Sequence, residues 1–205
     1  MSRLTLRFGG LMLSLAVTAS GAAVAEEAAP AASMHDHGSM AGTSMSRMNY
    51  TVPNIDLVRE NGKTVSLPQE LDDGRPVVMN FIFTTCETSC PLSSATFSQF
   101  QRKLGAERGS VHLVSISIDP EQDTPARLRE YAKKFGAGPQ WQHYTGTSAA
   151  SIAAQRAFGA YRGDKMSHTP ITLLRAAPGK PWLRIDGYVT PDELMEQYHE
   201  LLAAL

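Results

Sequence analysis

Apolar positions beyond residue 50 follow two periodicities in turn, and this alternation predicts strands separated by helices. Nearly continuous runs of β-branched and aromatic residues at 76–83 and 111–118 are typical of strands buried on both faces. Apolar residues at helical spacing follow each run, at 91–104 and 128–135. The shorter predicted elements are strands at 141–144, 171–174 and 182–189, and helices at 148–158 and from 191 onward.

Turn and cap residues separate these elements. Asn61-Gly62 lies between two short apolar runs and predicts a β-hairpin, because this pair accepts a positive φ. Thr124-Pro125 and Thr190-Pro191 each place a capping hydroxyl before a proline, which marks the start of a helix. Strands alternating with helices, then a hairpin and a last helix, predict one three-layer α/β domain over residues 50–205 with a central mixed sheet.

The first 25 residues have the composition of a secretory signal peptide. Arg3 and Arg7 form a basic start, residues 11–19 are apolar, and Ala23-Val24-Ala25 is a small-residue cleavage signal. An uncleaved membrane anchor is the alternative, but the apolar run is short for a bilayer span. We therefore expect cleavage and export to the periplasm. An oxidising compartment would favour a disulfide unless a reductant acts on the cysteines.

Residues 26–49 are rich in Ala, Ser, Met and Gly and poor in large aliphatic residues, which predicts a flexible tail. The tail contains Met34-His35-Asp36-His37-Gly38-Ser39-Met40, followed by Met45 and Met48. Thioether and imidazole groups together suit copper, so the tail could collect this metal. Composition alone favours the simpler interpretation of a low-complexity linker.

The net charge of the chain is −1, which does not indicate nucleic-acid binding. Its two cysteines, Cys86 and Cys90, follow a predicted strand and precede a predicted helix that has Pro91 in its first turn. Free N–H groups and the helix dipole at such a position favour thiolates. The pair could form a disulfide, exchange one with a partner, or bind a soft metal. An inert disulfide is the structural alternative, although a bridge closing so small a loop stabilises little.

A third candidate ligand is His168, which precedes the predicted strand at 171–174. In an α/β sheet, the entry to that strand can lie beside the N-terminus of the helix that follows Cys86. Two thiolates and one imidazole suit Cu(I), and with an added ligand Cu(II). A capped surface histidine is the alternative, and Met166 is either a spare soft ligand or a packing residue. Asp119 is interpreted as a turn residue, and the remaining domain histidines as structural or solvated: His112, His143 and His199.

The chain from about residue 50 to 204 resembles the Sco/SenC family of thioredoxin-like, copper-binding assembly proteins. The matching stretches are Thr85-Cys86 to Cys90-Pro91, Ser117 to Pro125 running into Leu128 to Ala132, and His168-Thr169. The resemblance implies that Cys86, Cys90 and His168 bind copper. It also implies a role in preparing the binuclear copper site of a respiratory oxidase, with the copper-receiving subunit as partner.

Two positions depart from the family pattern. Glu87 follows the first cysteine where proline is usual, and Ser167 stands where many members have an acidic residue that could orient the histidine. The leading hypothesis is a metallochaperone that transfers copper by ligand exchange and needs a thiol reductant. The alternatives are a thiol–disulfide oxidoreductase that uses Cys86 and Cys90 as a redox pair, and a copper or redox sensor. Membrane association is expected only through a partner or an uncleaved leader.

Overall fold

The computed structural model describes residues 42–205, which form eight strands and five helices. The strands are β1 (Ser44–Met48), β2 (Asp56–Arg59), β3 (Thr64–Ser66), β4 (Val77–Ile82), β5 (His112–Ser117), β6 (Trp141–Thr145), β7 (Ile171–Arg175) and β8 (Trp182–Asp186). The helices are α1 (Leu67–Leu71), α2 (Ser89–Lys103), α3 (Pro125–Lys134), α4 (Ser148–Ala157) and α5 (Pro191–Ala203), with 3-10 turns at Gly105–Ser110 and Lys165–Ser167.

The strands form one mixed sheet in the order β1-β8-β7-β4-β5-β6-β2-β3. β4 is parallel to β5 and antiparallel to β7, and every residue of β4 is buried. The carboxyl end of β4 and the start of β7 therefore lie at the same edge of the sheet. The loops that carry the cysteines and His168 leave the sheet at this edge.

Helices cover both faces of the sheet, which confirms the predicted three-layer architecture. One core contains residues of α2 and α5, and the opposite core contains residues of α1 and α4. α3 packs beside α2, where the hydroxyls of Ser94 and Tyr131 are hydrogen-bonded at 2.8 Å. The predicted hairpin is confirmed as the antiparallel pair of β2 and β3, with Gly62 at a φ of 86°.

The predicted helix starts at Thr124 and Thr190 are also confirmed. The Thr124 hydroxyl accepts the N–H of Arg127 at 3.3 Å and so begins α3. At α5, the Thr190 hydroxyl accepts the N–H of Glu193 at 3.2 Å, and the Glu193 carboxylate accepts the N–H of Thr190 at 2.8 Å. This reciprocal capping box satisfies two N–H groups that a helix start otherwise leaves unpaired.

The structure corrects the N-terminal boundary of the domain. Ser44–Met48, predicted to belong to the flexible tail, is the edge strand β1 and pairs antiparallel with β8. All five of its residues are exposed, so the sequence shows no alternation of buried apolar and exposed polar positions that would predict a strand. The strand is held by backbone hydrogen bonds to β8. Met45 and Met48 are three residues apart and therefore lie on opposite faces of β1, so they do not form one ligand pair.

The other predictions for the N-terminal region fall outside the described residues. These are the signal peptide at 1–25 and the remainder of the predicted tail, including the Met/His stretch from Met34 to Met40. Within residues 42–205, no helix combines the length and apolar character needed to cross a bilayer.

His143 on β6 predicts an acid-sensitive stability. Its side chain is buried between the rings of Trp141 and Tyr131, and neither ring nitrogen has a hydrogen-bond partner among the described residues. Burial lowers its pKa to about 3. The unfolded chain binds a proton at His143 below about pH 6.5 while the folded chain does not, so stability falls as the pH drops.

When the pH is lowered from 7.5 to 5, His143 alone is expected to lower the free energy of unfolding by about 2 kcal/mol. The loss is about 1.4 kcal/mol for each pH unit below the pKa of the histidine in the unfolded chain. His143→Phe should remove that part of the loss, as measured by urea unfolding at the two pH values. His199→Phe, which changes an exposed histidine on α5, is the control. Equal losses in the wild type and in His143→Phe would contradict the prediction.

Candidate metal centre

The two cysteines lie where β4 gives way to α2, but in different environments. Cys86 is half-buried in the loop after β4. Cys90 is only 1% exposed and packs in the first turn of α2 against Ile82, Phe83 and Leu128. Both are free thiols. α2 begins at Ser89, two residues earlier than the apolar spacing predicted, so the helix includes the second cysteine.

Hydrogen bonds gather around the sulfur of Cys86. The N–H of Cys90 donates to it at 3.4 Å, and the hydroxyls of Ser89 and Thr88 lie 3.5 and 3.8 Å away. Partial burial acts to raise the pKa of Cys86, but these hydrogen bonds outweigh it and lower the pKa to about 7. Near neutral pH, about half of the Cys86 side chains are therefore thiolate.

Cys90 behaves in the opposite way. Burial, together with the nearby negative charge of Cys86, raises the pKa of Cys90 to about 12. The helix position predicted a thiolate at both cysteines, and for Cys90 that prediction is wrong. The cause is its packing among apolar side chains, where a charge is poorly solvated. In the metal-free protein, the sulfur of Cys86 is therefore partly ionised near neutral pH, and the sulfur of Cys90 is protonated.

His168 presents one anchored and one free ring nitrogen. Its backbone N–H donates to the carbonyl of Lys165 at 3.1 Å, and its ring Nε2 donates to the carbonyl of Phe81 at 3.2 Å. Because a carbonyl only accepts, the proton of the neutral ring lies on Nε2 and Nδ1 keeps its lone pair. Nδ1 is buried and has no hydrogen-bond partner among the described residues. Metal-binding histidines commonly have this arrangement.

Burial of His168 lowers its pKa, the carbonyl of Phe81 acts against that shift, and the positive charge of Arg162 adds to it. The imidazole is therefore neutral at physiological pH, as a metal ligand must be. The departure at Ser167 predicted that an orienting partner was missing. The carbonyl of Phe81 fills this role, and no sequence signal could have revealed it because every residue has a carbonyl group.

Cys86 and His168 line the same cleft, whose volume is about 360 Å³. Glu87, Lys165 and Met166 also line it, and Met166 is 75% exposed. Cys90 is buried and does not line this cleft. Within residues 42–205, no three cysteine, histidine or carboxylate side chains stand close enough to form a preassembled metal site. A three-ligand centre would thus need a local movement that brings Cys86, Cys90 and His168 closer together.

The remaining domain histidines lie away from the cleft, in agreement with their structural interpretation. His112 is buried, with its ring nitrogens 3.0 Å from the carbonyl of Glu70 and 3.2 Å from the hydroxyl of Tyr144. His143 is buried on β6, and His199 is exposed on α5.

Sequence reasoning missed the part played by Lys165. Its ammonium lies 2.5 Å from the carboxylate of Asp119, and 5.8 Å from the ring centre of Phe83. A lysine in a predicted loop gives no signal of such a contact. Asp119 is a turn residue as predicted, since its carbonyl accepts the N–H groups of Gln122 and Asp123. Its ion pair with Lys165 is an additional role.

Comparisons with known proteins agree with this architecture. The chain is 38% identical over 106 residues to the SCO1 protein homolog of Bacillus subtilis, covering 51% of this chain and 54% of that protein. It is 34% identical over 88 residues to a candidate copper-binding protein of Stutzerimonas stutzeri, covering 42% of each. The matches thus span about half, or less, of the length of these two relatives.

A solved structure of BsSco, described as a member of the Sco family of cytochrome c oxidase assembly proteins with a disulfide switch, shares the fold. The TM-score is 0.65 at 28% identity, covering 78% of this chain and 98% of BsSco. The predicted thioredoxin-like α/β class is confirmed by this likeness. The family model described as SCO1/SenC matches residues 43–203, which include β1, both cysteines and His168, and the chain therefore belongs to the SCO1/SenC family.

Proposed function

We propose that this protein is an exported copper carrier that binds one copper ion through Cys86, Cys90 and His168. The observation that carries the proposal is the cleft that Cys86 and His168 share: the sulfur of Cys86 is partly ionised, and the buried Nδ1 of His168 has no hydrogen-bond partner among the described residues. The two residues lie on loops 82 positions apart. Thiolate and neutral imidazole are soft and borderline ligands that suit Cu(I) and can also hold Cu(II). The name of the Stutzerimonas stutzeri relative points in the same direction.

Each side chain has a distinct part in copper uptake. Cys86 offers a thiolate near neutral pH, so copper would enter there first. Cys90 is protonated at that pH and would lose its proton as copper replaces it. His168 would complete the site through Nδ1 while Nε2 stays anchored to the carbonyl of Phe81. Release to an acceptor would reverse these steps by ligand exchange, without chemical turnover.

The acceptor that we propose is the copper-receiving subunit of a respiratory oxidase. Family membership and the description of BsSco as a cytochrome c oxidase assembly protein support this choice. The signal-like residues 1–25 support a periplasmic location. In an oxidising compartment the two thiols need an external thiol reductant to stay able to bind copper.

Anaerobic titration of the reduced protein with Cu(I) tests this function. We expect one Cu(I) per chain in the wild type, and loss of tight binding in Cys86→Ser and in Cys90→Ser because each variant removes one thiolate. Ser94→Ala, a buried position farther along α2, is the control and should keep the stoichiometry. Tight binding that survives both cysteine substitutions would refute the proposed site.

A second candidate function is thiol–disulfide exchange, and the unequal cysteines favour it. The Cys86 thiolate would attack one sulfur of a target disulfide, forming a mixed disulfide and releasing the other target sulfur as a thiolate. Cys90, after losing its proton to water, would attack the sulfur of Cys86 and release the second target thiolate. The target is then reduced, and the resulting Cys86–Cys90 disulfide must be reduced by the external thiol.

A further inference from the structure

The loop that carries the cysteines is attached to a buried carboxylate on another part of the chain. Asp123 is 0% exposed, and its carboxylate accepts the N–H of Thr84 at 3.2 Å and the Thr84 hydroxyl at 2.5 Å. Thr84 is two residues before Cys86. Two hydrogen bonds to one residue fix the position at which the cysteine loop leaves β4.

The loop that carries His168 is attached to Asp119, which lies in one turn with Asp123. The ammonium of Lys165 lies 2.5 Å from the carboxylate of Asp119, which is only 8% exposed. The carbonyl of Lys165 in turn accepts the backbone N–H of His168. The side chain of Lys165 therefore anchors the 3-10 turn immediately before the histidine.

One hydroxyl joins the two attachments. The N–H of Asp119 donates to the hydroxyl of Ser117 at 3.0 Å, and that hydroxyl donates to the carboxylate of Asp123 at 2.6 Å. The N–H groups of Gln122 and Asp123 donate to the carbonyl of Asp119 at 3.1 and 2.9 Å, which closes the turn. A continuous polar path thus runs from Lys165 to Thr84 through residues 117–123.

We propose that this path, here called the 117–123 bracket, positions His168 relative to Cys86 and so sets the affinity for copper. The inference rests on the proposed function, since it assigns residues that position the ligands of that site. Ligands on two separate loops bind a metal well only when supporting contacts hold them in place. Lys165 and Asp123 are positioning residues, each acting through a ligand that it does not replace.

The two ends of the bracket differ in their exposure to solvent. Asp123 is buried, and its replacement would leave Thr84 and Ser117 without their acceptor, so Asp123 variants will affect the whole fold. Lys165 is 39% exposed and its ion pair can be removed with little effect on the core. The Lys165 end therefore provides the cleaner test.

The test compares Cu(I) affinity in Lys165→Leu, Lys165→Arg and Lys103→Leu, measured by competition with a chromogenic chelator. Lys103 is the matched control, since it forms an ion pair of 2.6 Å with Asp192 at the far end of α2. We expect Lys165→Leu to weaken binding about tenfold or more, the range seen when supporting contacts of metal ligands are lost. Lys165→Arg should keep most of the affinity, and Lys103→Leu should leave it unchanged.

A second comparison shows whether Lys165 acts through the histidine. In a His168→Ala background, Lys165→Leu should cause no further loss of affinity. An equal loss in both backgrounds, or no rescue by arginine, would overturn the inference.

A metal-free readout separates this inference from the proposed function. The NMR signals of the His168 ring in the reduced apoprotein should shift or broaden in Lys165→Leu but not in Lys103→Leu. If they do so while the wild type binds no copper, the bracket stands and the copper function fails. If the wild type binds copper through all three ligands while Lys165→Leu changes neither affinity nor ring signals, the bracket fails and the function stands.

Discussion

Alkylation of the reduced, metal-free protein at pH 7 is expected to modify Cys86 and to leave Cys90 intact. With pKa values of about 7 and about 12, roughly half of Cys86 is thiolate at this pH, compared with roughly one part in 10⁵ of Cys90. The thiolate is the nucleophile, so the difference in rate should be several orders of magnitude. The burial of Cys90 adds to the difference by limiting access.

The pH dependence of the alkylation rate follows from the same pKa values. The rate at Cys86 should rise with pH, reach half of its maximum near pH 7, and level off about two pH units higher. Ser89→Ala removes a hydroxyl that lies 3.5 Å from the sulfur, so it should raise the pKa of Cys86 and slow alkylation at pH 7 several-fold.

Site-resolved mass spectrometry after a short exposure to iodoacetamide measures these rates. Unfolding in urea is the control, because the two cysteines should then react at similar rates. Faster labelling of Cys90, or equal labelling of both cysteines in the folded protein, would show that Cys86 is not the more acidic and more reactive thiol. It would also remove the basis for making Cys86 the entry point for copper and the attacking thiol in exchange.

The elements that position the site could be predicted from the sequence because they depend on local pattern. The apolar run of β4 and the helical spacing after Pro91 predicted that the cysteines lie where a strand is followed by a helix, and the structure has Cys86 in the loop after β4 and Cys90 in the first turn of α2. The apolar run at 171–174 likewise predicted a strand after His168, which is β7 in the structure. The parallel and antiparallel neighbours of β4 then bring both loops to one edge of the sheet.

The features that could not be predicted depend on contacts between distant residues. The edge strand β1 gains its place from backbone pairing with β8, although its own residues are exposed. The carbonyl of Phe81 orients His168 across 87 positions, in the place where Ser167 departs from the family pattern. The raised pKa of Cys90 arises mainly from its burial in an apolar cluster that includes Leu128 on α3, which spacing along the chain does not encode.

The cysteines alone cannot separate copper binding from disulfide exchange, since both activities require them. His168 can separate the two, because it lines the cleft, whereas the hydrogen bonds to the sulfur of Cys86 come from Thr88, Ser89 and Cys90. Exchange needs two sulfurs and a target, whereas a three-ligand copper site also needs the imidazole.

His168→Ala is therefore expected to weaken Cu(I) binding by more than about a hundredfold, since loss of a contact that merely orients a ligand already costs 10–100-fold. The same variant should reduce a model disulfide at a rate within about threefold of the wild type. His199→Ala, which removes an exposed histidine on α5, should change neither activity. Unchanged copper affinity in His168→Ala would leave a site made of thiolates only. Loss of both activities, with the fold intact by circular dichroism, would mean that the imidazole also acts on the sulfur chemistry of Cys86.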